Sequence, residues 1–433
     1  MTTRVGPVGL MSNDGEPVGT NWAGNYSYRA ARLVRPRSVD ELCEVVAAST
    51  AVRALGSRHS FSDLTDTVGT LVDLAALPAD VRVDADDTGT AAVVSVSGGT
   101  RYAELATALH ERGWALGAMA SLPHISVAGA VATGTHGSGD RVRSLAAAVR
   151  ALEVVGPDGT VRRVERGSAD FDGSVVALGA LGIVSRLEID AEPGYDVSQE
   201  VRTGLTWSAL ETHFDQITSA AYSVSVFTRA WVDVDQLWLK HRVGRARATD
   251  EFGTVAATGT LHMLSGGSEQ AVTAQGGVAG PWLHRLPHFR TEFTPSNGEE
   301  LQSEYFVPRE AALEAVARLR RLAPSFAPLL LVSELRTIAA DELWLSGAEG
   351  RDTVALHFTW VRDEVAVRRA VRTIEEVLVP LGARPHWGKV FELDADALAE
   401  AFPRLPDFRA LRDRVDPQRV FGNAFVDRVL GAP

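Results

Sequence analysis

The stretch Ala51-Val52-Arg53-Ala54-Leu55-Gly56-Ser57-Arg58-His59-Ser60-Phe61 decides how the chain is read. Its apolar lead predicts a strand, which breaks at Gly56 into a small, polar, basic turn. Glycine reaches backbone angles closed to other residues and lets the main chain approach a ligand closely. Successive N–H groups in such a turn form an anion-binding concavity, to which Ser57, Arg58 and Ser60 add donors. His59 at the tip offers a nucleophilic ring nitrogen beside whatever phosphate-bearing molecule the turn holds. The same residues alone also read as a surface β-turn with an idle histidine.

Around this turn the pattern is mixed. Ser38 and Glu41 have capping-box spacing and open a predicted helix to about Ser49. Strands are predicted at Thr70 to Asp73 and Ala91 to Val96, and a helix at Tyr102 to Arg112 with Leu105 and Leu109 on one face. The block from Ser121 to Gly139 is dominated by small residues, among them Ser126, Gly129, Thr133, Gly134, Thr135 and His136. Either a ligand such as a pyrophosphate-ribityl chain lies against its backbone, or it is a connector packing helix on sheet. It lacks the G-x-G-x-x-G fingerprint of nicotinamide dinucleotide sites. Val149 to Val155 and Val161 to Val164 flank Gly156-Pro157-Asp158-Gly159 as a hairpin. The run through Ile183 returns to the same region, and Pro193-Gly194 closes a first domain. The expected order of elements is that of an α+β or α/β unit.

From Tyr195 onward, aromatic and alternating segments predict a large antiparallel sheet with helices on one side, the helices at Arg309 to Leu322 and Glu364 to Val377. Ser265 to Gly280 is expected to be a flexible surface excursion. Strand residues two apart share a face. Glu334 and Arg336 therefore point together, as do His357 and Thr359, and Gln302 and Glu304. These polar faces suit either a wet cavity or plain solvent with a weak cross-strand pair. Pro385-His386-Trp387-Gly388-Lys389 adds a lysine beside an aromatic, which alone reads as surface.

The 433 residues suffice for two domains, and a formal charge of −12 argues against nucleic-acid or anionic-membrane surfaces. A single cysteine, Cys43, excludes an intrachain disulfide framework or multi-thiolate metal site and fits a reducing cytoplasm. Met1 to Gly19 has no signal-peptide pattern, and no apolar run approaches the roughly 20 residues of a membrane helix.

Gly56-Ser57-Arg58-His59-Ser60-Phe61 resembles the flavin loop of the vanillyl-alcohol-oxidase-type flavoproteins, in which the histidine is joined covalently to the 8α-methyl of FAD. From near Thr20 almost to the C-terminus, several separated blocks resemble the alditol oxidases within that group. The resemblance implies a two-domain α+β fold of the PCMH type: a FAD-binding domain over residues 1–194, a substrate domain over 195–400 built on a large antiparallel sheet flanked by helices, and a 401–433 segment returning to the flavin. It implies an oxidase taking the terminal hydroxyl of polyols such as xylitol or sorbitol to the aldehyde, with O2 reduced to H2O2, in a cytoplasmic monomer without a metal. Ser121, Glu334, Arg336 and Lys389 are then expected to hold substrate hydroxyls, with Gln302, His357 and Thr359 lining the cavity. Lys389 and Arg336 are suited to stabilising developing alkoxide, and Lys389 to taking the proton if burial lowers its pKa. Ala54, Leu55, Gly56, Ser57, Arg58, Ser60, Ser121, Ser126, Gly129, Thr133, Gly134, Thr135, His136, Ile183, Thr359 and His386 are expected at the cofactor.

Some relatives attach FAD a second time through cysteine, but the small-residue block has none, so a single link through His59 is expected. Ala120 lies where the wider group admits or blocks oxygen. The competing expectations are a sugar-1,4-lactone oxidase or dehydrogenase of the same superfamily, and a carbohydrate-binding or electron-passing flavoprotein without alcohol turnover.

Overall fold

The computed structural model describes residues 18–245, 251–293 and 299–431, so Met1–Gly19 falls almost wholly outside the described residues. The chain first builds a parallel sheet from β1 (Arg32–Val34), β2 (Val52–Leu55) and β3 (Thr70–Asp73), in the order β1-β3-β2. Helix α1 (Val39–Ala47) starts at Ser38, whose Oγ accepts from the Glu41 N–H at 3.1 Å. The Glu41 carboxylate accepts from the Arg37 N–H instead of Ser38's, one residue off the usual reciprocal cap. Leu42, Val45 and Val46 of α1 pack with Val52, Val72, Ile183, Val420 and Phe421.

That apolar cluster fastens the C-terminal segment to the first sheet. The Val52 N–H donates to Val420 O at 2.9 Å. Arg53, 2% exposed, donates to the carbonyls of Leu64, Leu178, Gly179 and Phe421, and Asn423 Nδ2 donates to those of Asp63, Leu64 and Asp66. Buried polar groups so satisfied lock the segment ends against one another.

A second, antiparallel sheet contains β4 (Arg82–Ala85), β5 (Ala92–Ser97), β6 (Trp114–Ala115), β7 (Val149–Val155), β8 (Val161–Glu165) and β9 (Ile183–Pro193). Its order is β4-β5-β9-β7-β8, with β6 beside β9. Alternate residues along β9 are buried, giving the sheet one core face, and the expected hairpin is formed by β7 and β8. Helix α2 (Tyr102–His110) buries Leu105 and Leu109, while the small-residue block yields only a short helix, α3 (Val127–Ala132).

The third sheet has nine strands: β10 (Asp196–Thr203), β11 (Ser223–Thr228), β12 (Gln236–Arg242), β13 (Val255–Ala256), β14 (Ala279–Pro281), β15 (Glu300–Pro308), β16 (Leu330–Ile338), β17 (Thr353–Val361) and β18 (Arg384–Pro385). The order β13-β10-β12-β11-β16-β17-β15-β18, with β14 on β10, is antiparallel throughout.

One face of this sheet packs on the helices Ala312–Leu322 and Glu364–Leu378. There Trp207, Trp231, Phe358 and Trp360 stack in sequence, with centroids 5.7, 6.0 and 5.3 Å apart. Each such pair adds about 0.5–1.5 kcal/mol beyond its buried area. Because Phe358 and Trp360 point to the helices, the intervening His357 and Thr359 must point the other way.

Ser265 to Gly280 is no loose excursion. Val272 and Thr273 are buried, Thr273 N–H donates to His288 O at 2.9 Å, and β14 adds an edge strand to β10. Its glycines mark turns between ordered contacts. Among the described residues no helix is long and apolar enough to cross a membrane.

Candidate active site

The loops of the first two sheets face the polar side of the third across a cavity of about 400 Å³. The turn after β2 forms part of its wall. The main-chain N–H groups of Ser57, Arg58, His59 and Ser60 have no acceptor among the described residues. Glycines bring the opposing backbones close. A Cβ on Gly56 would stand 2.5 Å from Ser126 Oγ, and one on Gly98 would stand 2.3 Å from Val184 O. Free amide donors, a glycine cradle and small side chains fit a phosphate-bearing flat-ringed cofactor such as FAD.

His59 lies on this wall between Trp22 and Phe61, with ring centroids 4.5 and 5.8 Å away. Burial first, then the charges of Lys389 and His124, push its pKa down to about 4, so the ring is neutral at pH 7. A neutral imidazole keeps a lone pair for nucleophilic work.

Of the other residues expected at a cofactor, Ala54, Leu55, Gly56, Ser57, Ser60, Ser121, Ser126, Gly129, Thr133, Thr135, Thr359 and His386 line the same cavity. Three of the expected residues are placed differently from the rest. Ile183 turns into the α1 cluster, because strand alternation sends its neighbour Val184 to the cavity instead. Gly134 stands behind the wall as a turn glycine at φ +68°. Arg58 lines the wall, but with φ 62° its guanidinium swings back to Val18 O (2.9 Å) and Thr20 O (3.2 Å), so that group braces the entering chain.

The strand order β16-β17-β15 sets the polar face opposite. Register places His357 directly between Glu334 and Glu304, and Thr359 beside Gln302. Glu304, fully buried, is the hub: Oε1 accepts from Arg336 Nη2 at 2.6 Å and Oε2 from Lys389 Nζ at 2.5 Å. Lys389 also donates to His357 Nδ1 at 2.7 Å, and His357 Nε2–H donates to Thr359 Oγ1 at 3.0 Å. Arg336 reaches Ser121 Oγ at 3.4 Å and lies 3.5 Å from Glu334 Oε2 through Nε. That Nε–H has no hydrogen-bond acceptor among the described residues. Gln302 Nε2 donates to Glu300.

Burial alone would raise the pKa of Glu304, but Lys389 and Arg336 outweigh it and hold the carboxyl well below its usual range. Glu334 is likewise held ionised, by Arg336 and His288 against burial. Burial lowers Lys389, Glu304 opposes that, and Arg336 reinforces it, leaving the ammonium easier to deprotonate than usual. His357 falls to about 4 through burial and Lys389, which suits an acceptor ring.

His136, expected at a cofactor, donates from Nδ1 to Gly137 O at 2.8 Å and sets Nε2 3.3 Å from Glu304. With His386 it forms a group of metal-ligand type around Glu304. Both carboxylate oxygens there already meet cationic side chains, so a further cation is repelled.

Sequence reading placed Glu304 on a polar face without giving it a role, and it overlooked two further members of this network. Glu304 shares a face with Gln302, but alternation does not reveal which strand lies next to it. His288 and Lys240 continue the network behind Glu334, and neither carries a sequence signal beyond a histidine after proline and a lysine near Trp238.

The sequence model of the FAD binding domain matches residues 30–165, spanning the His59 turn and the small-residue block. That of the D-arabinono-1,4-lactone oxidases matches residues 296–429, spanning Glu304, Glu334, Arg336, His357 and Lys389. An alditol oxidase of Streptomyces sp. (strain IKD472 / FERM P-14339) is 49% identical over 416 residues, covering 95% of this chain and 98% of that one. An L-gulono-1,4-lactone dehydrogenase of Mycobacterium tuberculosis is 30% identical over 96% of this chain and 99% of its own length. The crystal structure of a cholesterol oxidase from B. sterolicum shares the fold, with a TM-score of 0.78 over 95% of this chain and 96% of that one at 14% identity.

Proposed function

Because the chain belongs to the alditol oxidase family of FAD-dependent oxidoreductases, with their two-domain α+β fold, we propose that it oxidises the terminal CH2OH of an open-chain polyol such as xylitol or sorbitol to the aldehyde, with O2 reduced to H2O2. In this reading residues 1–194 with the returning 401–433 hold the flavin, and 195–400 supply the substrate groups. His59 carries the flavin through one covalent link, since the small-residue block has no cysteine and Cys43 sits in α1. The single cysteine and acidic charge support a monomer of the reducing cytoplasm.

The observation that carries the substrate assignment is the buried Arg336 Nε–H, a donor without an acceptor among the described residues, beside the ionised Glu334. Such a pair is costly unless a ligand completes it. A polyol does so, because each of its hydroxyls both donates and accepts. One hydroxyl accepts from Arg336, a neighbour donates to Glu334 Oε2, and Ser121, Gln302 and Thr359 complete the row along the chain.

The reacting hydroxyl belongs beside Lys389. Two of the three hydrogen-bonding directions of its Nζ are taken by Glu304 and His357, which fix where the third points. As the neutral amine, Nζ takes the hydroxyl proton; as the ammonium it then stabilises the negative charge left on that oxygen. Arg336 remains charged throughout, its pKa raised by Glu334 and Glu304 against burial. FAD, when bound, supplies the hydride acceptor and passes the electrons to O2.

Peroxide release from xylitol, sorbitol and a galactonolactone, measured side by side with a dye-acceptor control, tests the reading. Turnover of both polyols with peroxide is expected. Turnover of the lactone alone would move the chain to lactone chemistry, and dye reduction without peroxide would make it a dehydrogenase.

A further inference from the structure

Behind Glu334 the polar network runs on into the sheet. Glu334 Oε1 accepts from His288 Nε2 at 2.8 Å, and His288 Nδ1 faces Lys240 Nζ at 3.1 Å. Lys240, 1% exposed on β12, also meets Leu286 O at 2.6 Å and Pro287 O at 3.0 Å. The imidazole is gripped between Trp238 and Phe227, with centroids 5.2 and 5.7 Å away. It can therefore change its protonation but has little room to turn.

An ammonium has three hydrogens, and Lys240 has three acceptors. While it is charged, all three are used, His288 Nδ1 must accept, and the ring proton sits on Nε2, aimed at Glu334. A neutral amine has only two hydrogens. With both carbonyls kept, its lone pair faces Nδ1, which then needs the proton, and the bare Nε2 is turned on the Glu334 carboxylate. The charge on Lys240 thus selects the histidine tautomer.

We infer that Lys240 is a positioning residue for polyol recognition, acting through His288 to pin one oxygen of Glu334 and leave the other to the substrate. Nothing in this role requires contact with the reacting carbon. It rests on the polyol reading for its kinetic consequence, but not for the tautomer itself.

The setting makes the device responsive near neutral pH. Burial lowers Lys240, Glu334 opposes this and Arg336 adds to it, leaving the pKa at about 7. Among the described residues, the charged or titratable groups facing Lys240 are Glu334 and Arg336 from β16 and His288 from the 286–289 segment. Its strand neighbours in register, Gln199 on β10 and Ser223 on β11, are uncharged. His288 itself falls to about 4 through burial and Lys240, so it stays neutral while Lys240 titrates. As pH rises past Lys240's pKa, Glu334 loses its donor and substrate binding weakens.

Two measurements test this. In the 15N-histidine spectrum of the flavin-loaded wild type, with the His288 signals assigned by His288→Asn, the Nε2–H tautomer is expected below neutral pH and is expected to give way above it. In Lys240→Met, KM for xylitol should rise about tenfold or more at low pH and lose its rise with pH, with kcat changed far less. Lys240→Arg, permanently charged, should keep the low KM across the range. A pH-invariant His288 tautomer overturns the proposal even if no polyol is turned over. If Lys240→Met does not fold, the wild-type spectrum still decides. Equal loss in kcat and KM with the wild-type pH profile intact would also overturn it, leaving Lys240 a packing residue.

Discussion

Glu304 on β15 and Lys389 in the segment after β18 form a 2.5 Å ion pair in which the carboxylate is fully buried, and the same carboxylate holds Arg336 at 2.6 Å. One anion therefore sets two cations at the edge of the cavity. It offsets the burial cost of both, as the main opposing charge for Lys389 and together with Glu334 for Arg336.

Glu304→Gln should consequently harm both fold and turnover. Removing one partner from a buried charge network typically costs about 3–5 kcal/mol, read as a lower Tm. kcat/KM should fall by roughly a hundredfold or more, because Lys389 loses the contact that aims it. An unchanged Tm would show that water already compensates the cations.

Lys389 should give the rate its pH dependence. Its pKa is lowered by burial, opposed by Glu304 and reinforced by Arg336, so the proton-accepting amine becomes populated at lower pH than for a free lysine. kcat should rise with pH through that ionisation and then level off, separately from the rise in KM expected as Lys240 loses its charge. Lys389→Met should lose the rising limb and about two to four orders of magnitude in rate. A variant with near-normal turnover would remove Lys389 from the chemistry.

His59→Ala should bind flavin without a covalent bond. After acid denaturation the yellow colour should stay with the wild-type precipitate and move to the supernatant in the variant. Colour retained on the denatured variant would place the link elsewhere.

Glu375 makes a prediction about stability alone. It accepts from Tyr305 OH at 2.8 Å and the Glu392 N–H at 2.9 Å, and burial raises its pKa to about 7 despite those donors. Between the ordinary glutamate value of 4.5 and that raised value the folded state binds more protons than the unfolded one. Stability contributed by Glu375 is therefore present at low pH and falls as pH rises through this window. Glu375→Gln, which keeps an acceptor oxygen, should be more stable than the wild type at pH 8 by on the order of 3 kcal/mol, read as a higher Tm, and should differ little at pH 5.

Sequence pattern reached those parts whose information is local. The strand and turn at 52–61, the cap at Ser38 and the opposed faces of β17 follow from periodicity and turn chemistry, and each appears in the structure. Long-range register was not legible: only the pairing of β15 and β16 on either side of β17 makes Glu304 the neighbour of His357 and the anchor of Lys389. Lys240 and His288 meet across 48 residues of chain, through a loop that sequence suggested was free. The direction of the Arg58 guanidinium was not legible either: the residue lines the cavity, while its side chain turns back to Val18 O and Thr20 O.

The most direct test of a polyol-oxidising site is spectroscopic. Xylitol added to the yellow protein without oxygen should bleach the visible flavin band, and admitting air should restore it with formation of peroxide. A band that xylitol and sorbitol leave untouched, while a sugar lactone bleaches it, would contradict the assignment.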